Sequence, residues 1–164
     1  MGAVIDLSTA GTRLGLAFET TGGVRPTSNY INIPGPKSIP AADDAPSMLE
    51  TTSLNATKYR TYIPGLRDIA GGDIAVTFNY TQAFCDTWDD LYETNETNKA
   101  SGKRAWLEIY TPGIDDAFYI PVDIISRGNP GYEVDSVLET TAHFTPIGEP
   151  VFDDAVYPTD AASA

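Results

Sequence analysis

The chain has 164 residues, 41% of them hydrophobic, and a formal net charge of −13. That length suits one domain with a real core. The acidity argues against a groove- or phosphate-binding protein, because nucleic-acid affinity comes largely from Lys and Arg neutralising phosphates.

A single cysteine, Cys85, excludes an intrachain disulfide. The 14 glycines and 12 prolines fall in clusters that favour many short strands over long helices. Residues 1–11 (MGAVIDLSTAG) carry Val4, Ile5 and Leu7, apolar groups expected to order against a neighbouring subunit as an N-terminal arm, the alternative being a frayed terminus. No basic-plus-apolar leader opens the sequence and no apolar run approaches about 18 residues, so neither a secretory route nor a membrane partner is expected. The Asn-x-Thr sequons at Asn55, Asn79 and Asn95 are read as chance on that ground.

Thr12–Glu19 alternates, with Leu14, Leu16 and Phe18 on one face, and predicts a first strand. After a turn at Gly22-Gly23, Ser28–Ile33 predicts a second. Pro34-Gly35-Pro36 cannot continue a central ladder, since neither proline has an N–H to donate, so a bend is expected before an extended Lys37–Ile39. Pro40–Ser47 reads as a loop. Two β-rich runs, Leu49–Ser53 and Tyr59–Ile63, then lead to a corner at Pro64-Gly65. Met48 and Leu49 need burial that a surface excursion does not supply. With Thr51 they are expected to contact a neighbouring subunit.

Gly71-Gly72-Asp73 launches a strand in which Ile74, Val76, Phe78 and Tyr80 point one way and Asp73, Ala75, Thr77 and Asn79 the other. In Thr81–Asn98 the residues Phe84, Trp88, Leu91 and Tyr92 form one stripe of an amphipathic helix, ended by Gly102, with acids near the start suiting the helix dipole. Arg104–Tyr110 and Ala117–Ser126 predict a long β-hairpin burying Ala105, Leu107, Ile109, Phe118, Ile120, Val122 and Ile124. A turn at Asn129-Pro130-Gly131 precedes a last strand, Glu133–Thr145, with Leu138, Ala142 and Phe144 on one side. Residues 148–164 lack periodicity and read as an extended C-terminal arm. The expected fold class is mainly β: seven or eight strands in an antiparallel β-sandwich or partial barrel, with one flanking α-helix.

Chemistry is hard to place on this frame. His143 sits mid-strand among threonines, without a serine elbow of the G-x-S-x-G kind anywhere in the chain. Cys85 lies beside Asp86, and a carboxylate raises a thiol, the opposite of what a reactive cysteine needs. The pairs Asp43-Asp44, Asp89-Asp90, Asp115-Asp116 and Asp153-Asp154 do not fit an EF-hand, and no paired Cys or His spacing suits zinc. Neither an enzymatic activity nor a cofactor or metal is expected.

Three phrases carry a resemblance: E-T-T-S-L from Glu50, K-Y-R-T-Y-I-P-G-L-R-D from Lys58, and G-G-D-I-A-V-T-F-N-Y ending at Tyr80. The chain resembles the major tail tube proteins of long-tailed bacteriophages over residues 12–147, most strongly Glu50–Tyr80. The resemblance implies a homo-hexameric ring that stacks into a tube and passes viral DNA without binding it. It also implies tape measure, tail terminator and tail tip proteins as partners, and a place in the virion after assembly in the host cytoplasm. The immunoglobulin-like domain that family members often add has no counterpart in this sequence. Four inner strands from each of six subunits would close a barrel of about 24 strands; at ~4.8 Å spacing and a tilt near ~40°, its bore is roughly 38 Å, wide enough for duplex DNA. Thr77, Asn79 and Asp123 are the residues expected to face that lumen. Two other classes compete with this reading. One is a tail-terminator or head–tail joining ring protein, and the other is a carbohydrate-binding β-sandwich using Tyr110, Tyr119 and Tyr132.

Overall fold

The computed structural model describes residues 10–42, 46–67, 69, 72–125 and 127–160. Within them lie strands β1 (Arg13–Phe18), β2 (Ile31–Asn32), β3 (Pro36–Ser38), β4 (Pro46–Glu50), β5 (Tyr62–Arg67) and β6 (Ile74–Asn79), then helix α1 (Gln82–Ala100). Strands β7 (Ala105–Tyr110), β8 (Asp116–Ile124), β9 (Glu139–Pro146), β10 (Val151–Asp154) and β11 (Thr159–Asp160) follow. Nine of the strands form one sheet in the order β11-β2-β1-β7-β8-β9-β6-β3, with β10 also on β8, while β4 and β5 form a separate two-stranded ribbon. All pairings are antiparallel except β11 on β2. The sheet curls into a half-barrel with one helix against it.

Period-two alternation decides which side chains meet. Leu14 and Leu16 of β1, Leu107 of β7, Ile120 and Val122 of β8, Ala142 and Phe144 of β9 and Ile74, Val76 and Phe78 of β6 are buried on one side. Helix α1 closes that side with Phe84, Trp88 and Leu91. Trp88 meets Phe144 edge-on at 5.2 Å, Phe84 stacks on Phe78 at 4.7 Å, and the indole N–H donates to the Ile125 carbonyl (3.2 Å). A buried Trp satisfied in this way is worth about 3–5 kcal/mol against Ala.

The helix begins where a side chain can replace its missing partner: Thr81 Oγ1 accepts the Phe84 N–H at 3.2 Å. Its first turn holds no acid, so the dipole argument made from the sequence fails there, and the hydroxyl cap takes its place. At the other end Lys103 N–H reaches the Asn98 carbonyl (2.9 Å) and Gly102 N–H the Lys99 carbonyl (3.1 Å). That pair of bonds needs a left-handed residue, and Gly102 supplies it at φ +72°.

The opposite side of the sheet has a second, smaller core of Ala17, Tyr30, Trp106, Ala117 and Tyr119. Residues 151–160, within the stretch read as an arm, lie back along this sheet. Strand β10 pairs with the first half of β8, and Ala155 and Val156 pack on the second core. Pro158 comes so close to Gly15 that a Cβ there would stand 3.0 Å from its ring.

Several sequence expectations shift. Of Ser28–Ile33 only Ile31–Asn32 is strand, because Asn29 turns left-handed (φ +65°) to send Tyr30 into the second core. The bend expected at Pro34-Gly35-Pro36 ends sooner, and Pro36 already opens the short edge strand β3. Pro64-Gly65 is no corner: it lies inside β5, opposite Met48, tolerated because the ribbon's outer edge needs no N–H. The strand expected from Glu133 starts at Glu139; Asp135 is left-handed (φ +60°) and Leu138 stays 37% exposed.

Candidate assembly surface

The ribbon of β4 and β5 is the part of the structure with least visible cause. Polar bonds define its connecting loop: Thr51 N–H to the Thr61 carbonyl (2.8 Å), Thr61 N–H to Thr52 Oγ1 (2.9 Å), and Thr51 and Thr61 hydroxyls bonded to each other (2.9 Å). Ser53 also bonds to Asn55. These bonds displace the strands from the runs expected at Leu49–Ser53 and Tyr59–Ile63 to residues 46–50 and 62–67. Leu49 stands opposite Ile63 and Met48 opposite Pro64, so both faces of the ribbon carry apolar groups. They are not covered. Met48 is 60% and Leu49 53% exposed, and Leu54, Tyr59, Tyr62, Ile63 and Leu66 are exposed as well.

An isolated two-stranded hairpin is marginal in water, and exposed apolar groups gathered on one element make a surface of the kind through which proteins meet other molecules. Met48 and Leu49, singled out from the sequence, therefore fall on the ribbon, with Thr51 at the mouth of its loop. Val4, Ile5 and Leu7 lie outside the described residues. The further exposed residues Leu54, Tyr59, Tyr62, Ile63 and Leu66 were not foreseen, because no burial imposes alternation on them.

A second candidate surface is the polar half of the sheet. Ala75, Thr77 and Asn79 of β6 stand opposite His143, Thr141 and Glu139 of β9, on the side away from α1's aromatic stripe. Each of these except the exposed Thr141 is partly buried. The cations and carboxylates along this strip are paired: Lys37 with Glu139, and His143 Nδ1 with both Asp73 oxygens at 3.0 Å. Thr77 and Asn79 thus come side by side. Asp123 does something else. Its carboxylate accepts from Asn95 Nδ2 (3.0 Å) and Lys99 Nζ (3.3 Å), fastening β8 to the helix, and its bond and negative charge raise the Lys99 ammonium above its usual range.

The remaining candidates separate spatially. Tyr119 is fully buried and Tyr110 stands edge-on to Tyr157 at 5.4 Å, so the sugar platform proposed with Tyr132 does not form. Buried Cys85 receives the Arg127 guanidinium at 2.7 Å, which the neighbouring Asp86 in sequence did not reveal. Among the described residues no three His, Cys, Asp or Glu side chains converge as metal ligands, and no helix is long and apolar enough to cross a membrane.

No family model matches the sequence, and no curated protein is significantly similar to it. The backbone is more informative. A chain of the 6-fold symmetrised anti-feeding prophage baseplate superposes with a TM-score of 0.59 at 7% identity, covering 93% of this chain and 98% of that one. A chain of the anti-feeding prophage tube-terminating cap gives 0.59 at 11% identity, with 94% and 95% covered. One from the tail of an empty gene transfer agent particle, refined with C6 symmetry, gives 0.53 at 14% identity, with 77% and 88% covered. The fold is the tail tube fold. At these identities it is the path of the tail tube backbone that is shared. The side chains on the ribbon and on the polar strip are this chain's own.

Proposed function

We propose that the chain is the structural subunit of a phage-type tail tube, six copies closing a ring and rings stacking around a lumen that conducts viral DNA. The observation that carries this reading is the apolar ribbon of residues 46–67, held out from a tail tube fold. Covering one exposed Leu is worth about 1.5–3 kcal/mol, and a ring repeats each contact at every subunit. Met48, Leu49 and Thr51 then make inter-subunit contacts, joined by Val4, Ile5 and Leu7 of the N-terminal arm.

Thr77 and Asn79 are the proposed lumen-facing groups, offering DNA a hydroxyl and an amide and no free ammonium. Asp123 serves instead to anchor the helix. A tape measure, a terminator and a tip complex are the partners such a tube requires, with the virion as its place. No step in this role is catalytic.

Negative-stain electron microscopy of the purified protein tests the reading. Hollow tubes are expected. Single rings that never stack would favour a terminator or joining protein, and monomers at every concentration would overturn the assembly role.

A further inference from the structure

The ribbon's charge is out of keeping with the chain. Residues 46–67 hold Lys58, Arg60 and Arg67 against one carboxylate, Glu50, a net +2, which leaves −15 for the remainder of a chain whose total is −13. Lys58 has no ion-pair partner among the described residues, and Arg60 reaches Glu50 only at 3.9 Å. The ribbon is thus apolar and cationic together, on an otherwise acidic protein.

Elsewhere on the same chain lies a surface with the opposite character. A cavity of about 750 Å³ opens between the segment after β3 and the turn joining β7 to β8, lined by Ile39, Pro40, Ile109, Ile114, Phe118 and Phe152 among others. None of residues 46–67 lines it. Among the described residues its one lining cation is Lys37, already paired with Glu139. Register places Phe152 opposite Phe118, and one step along the same face of the same ladder Asp154 stands opposite Asp116. Like charges directly opposed across a strand pair are destabilising. Arg25 takes Asp153, but Asp115, Asp116 and Asp154 have no ion-pair partner among the described residues. The groove is therefore an apolar trough with an uncompensated acidic rim.

We propose that the ribbon of one copy docks in this groove of the next, with Met48, Leu49, Leu54 and Leu66 supplying the apolar contact and Lys58 and Arg60 meeting Asp115, Asp116 and Asp154. The assignment rests on the tube-subunit reading and names the surface that receives the ribbon. A closed ring or stack of identical copies requires a contact whose two halves lie on different parts of one chain. Here those halves match in polarity and are opposite in charge, which also sets their register and speeds encounter.

The test uses the wild-type chain. A carbodiimide joins a carboxylate to an amine only where the two touch. On assembled protein it should link Lys58 of one copy to Asp115, Asp116 or Asp154 of another, identified by peptide mass spectrometry and absent from free monomer. Assembled tubes in which Lys58 links elsewhere, or to nothing, would overturn the docking while leaving the tube reading intact. If the wild type forms no rings or tubes at all, the tube reading fails and this proposal with it. A second measurement is independent of cross-linking: Asp116→Lys with Asp154→Lys should melt like wild type yet need an at least about ten-fold higher concentration to polymerise. Unchanged polymerisation would count against the groove.

Discussion

Glu19 and Glu108 are both buried, and their surroundings push them in opposite directions. Burial alone raises Glu19, but bonds from Trp106 Nε1 (3.0 Å), the Arg104 N–H (2.7 Å) and guanidinium, and the Gly23 N–H outweigh it, holding the carboxyl below its ordinary range. For Glu108 burial wins over the opposing Tyr119 hydroxyl and the Val156 N–H (3.0 Å): one carboxylate oxygen has no hydrogen-bond partner among the described residues, and the carboxyl is pushed up. Signs follow. A depressed acid adds stability above its unfolded value, lost as pH falls through the folded one; a raised acid adds stability at low pH, lost as pH rises through its raised value. Glu108→Gln should therefore melt with wild type near pH 4 and be more stable by about 1 kcal/mol at pH 8, because no charge is then left under Ala155 and Val156. Thermal melts across that pH range check it, and parallel curves for the two proteins would refute it. Neither carboxylate's burial was legible in the sequence. Glu108 occupies a polar slot of an alternating strand, and only the return of residues 151–160 over it turns that slot inward.

At the scale of elements, legibility followed burial. Strands β6 to β8 were readable because one face of each is buried in the core that the aromatic stripe of α1 joins, so Ile74, Val76, Phe78, Ile120 and Val122 recur at every second position. The helix was readable for the same reason, and its end because Gly102 alone suits the left-handed cap. Strands β4, β5 and β10 bury almost nothing, so their register is fixed by hydrogen bonds that leave no hydrophobic trace. The candidate surface was legible only in part, through Met48 and Leu49 standing at the edge of an unpatterned loop. A substitution separates fold from assembly here. Leu49→Asp lies on an exposed ribbon and should change stability by no more than about 0.5 kcal/mol. It should abolish tubes all the same, leaving folded monomer in sedimentation experiments. Normal tubes from that variant would show that the ribbon is not an interface.

For the whole molecule, charge would govern what passes through the proposed tube. A wall that offers phosphates free ammonium groups holds DNA with steep salt dependence, whereas hydroxyls and amides let it slide. Thr77→Lys together with Asn79→Lys should still give tubes, since neither side chain is in the core. Genome delivery by particles carrying the double variant should slow, most at low ionic strength where screening is weakest. Delivery that is unchanged at every salt concentration would remove these two residues from the lumen.

The strand order has a further consequence, for timing. Strand β1 is flanked by β2 and β7, with Glu19 bonded to Arg104 across 85 positions, and β2 is completed by β11, with Asn32 bonded to Asp160 across 128. A chain emerging from the ribosome must therefore hold Leu14 and Leu16 without their β7 partners until residues 105–110 have been made, and such non-local pairing is intrinsically slow. The edge strand β11 cannot join β2 until residue 160 has been made. In the proposed tube subunit, translation itself thus acts as a clock, delaying polymerisation until residue 160 has been added.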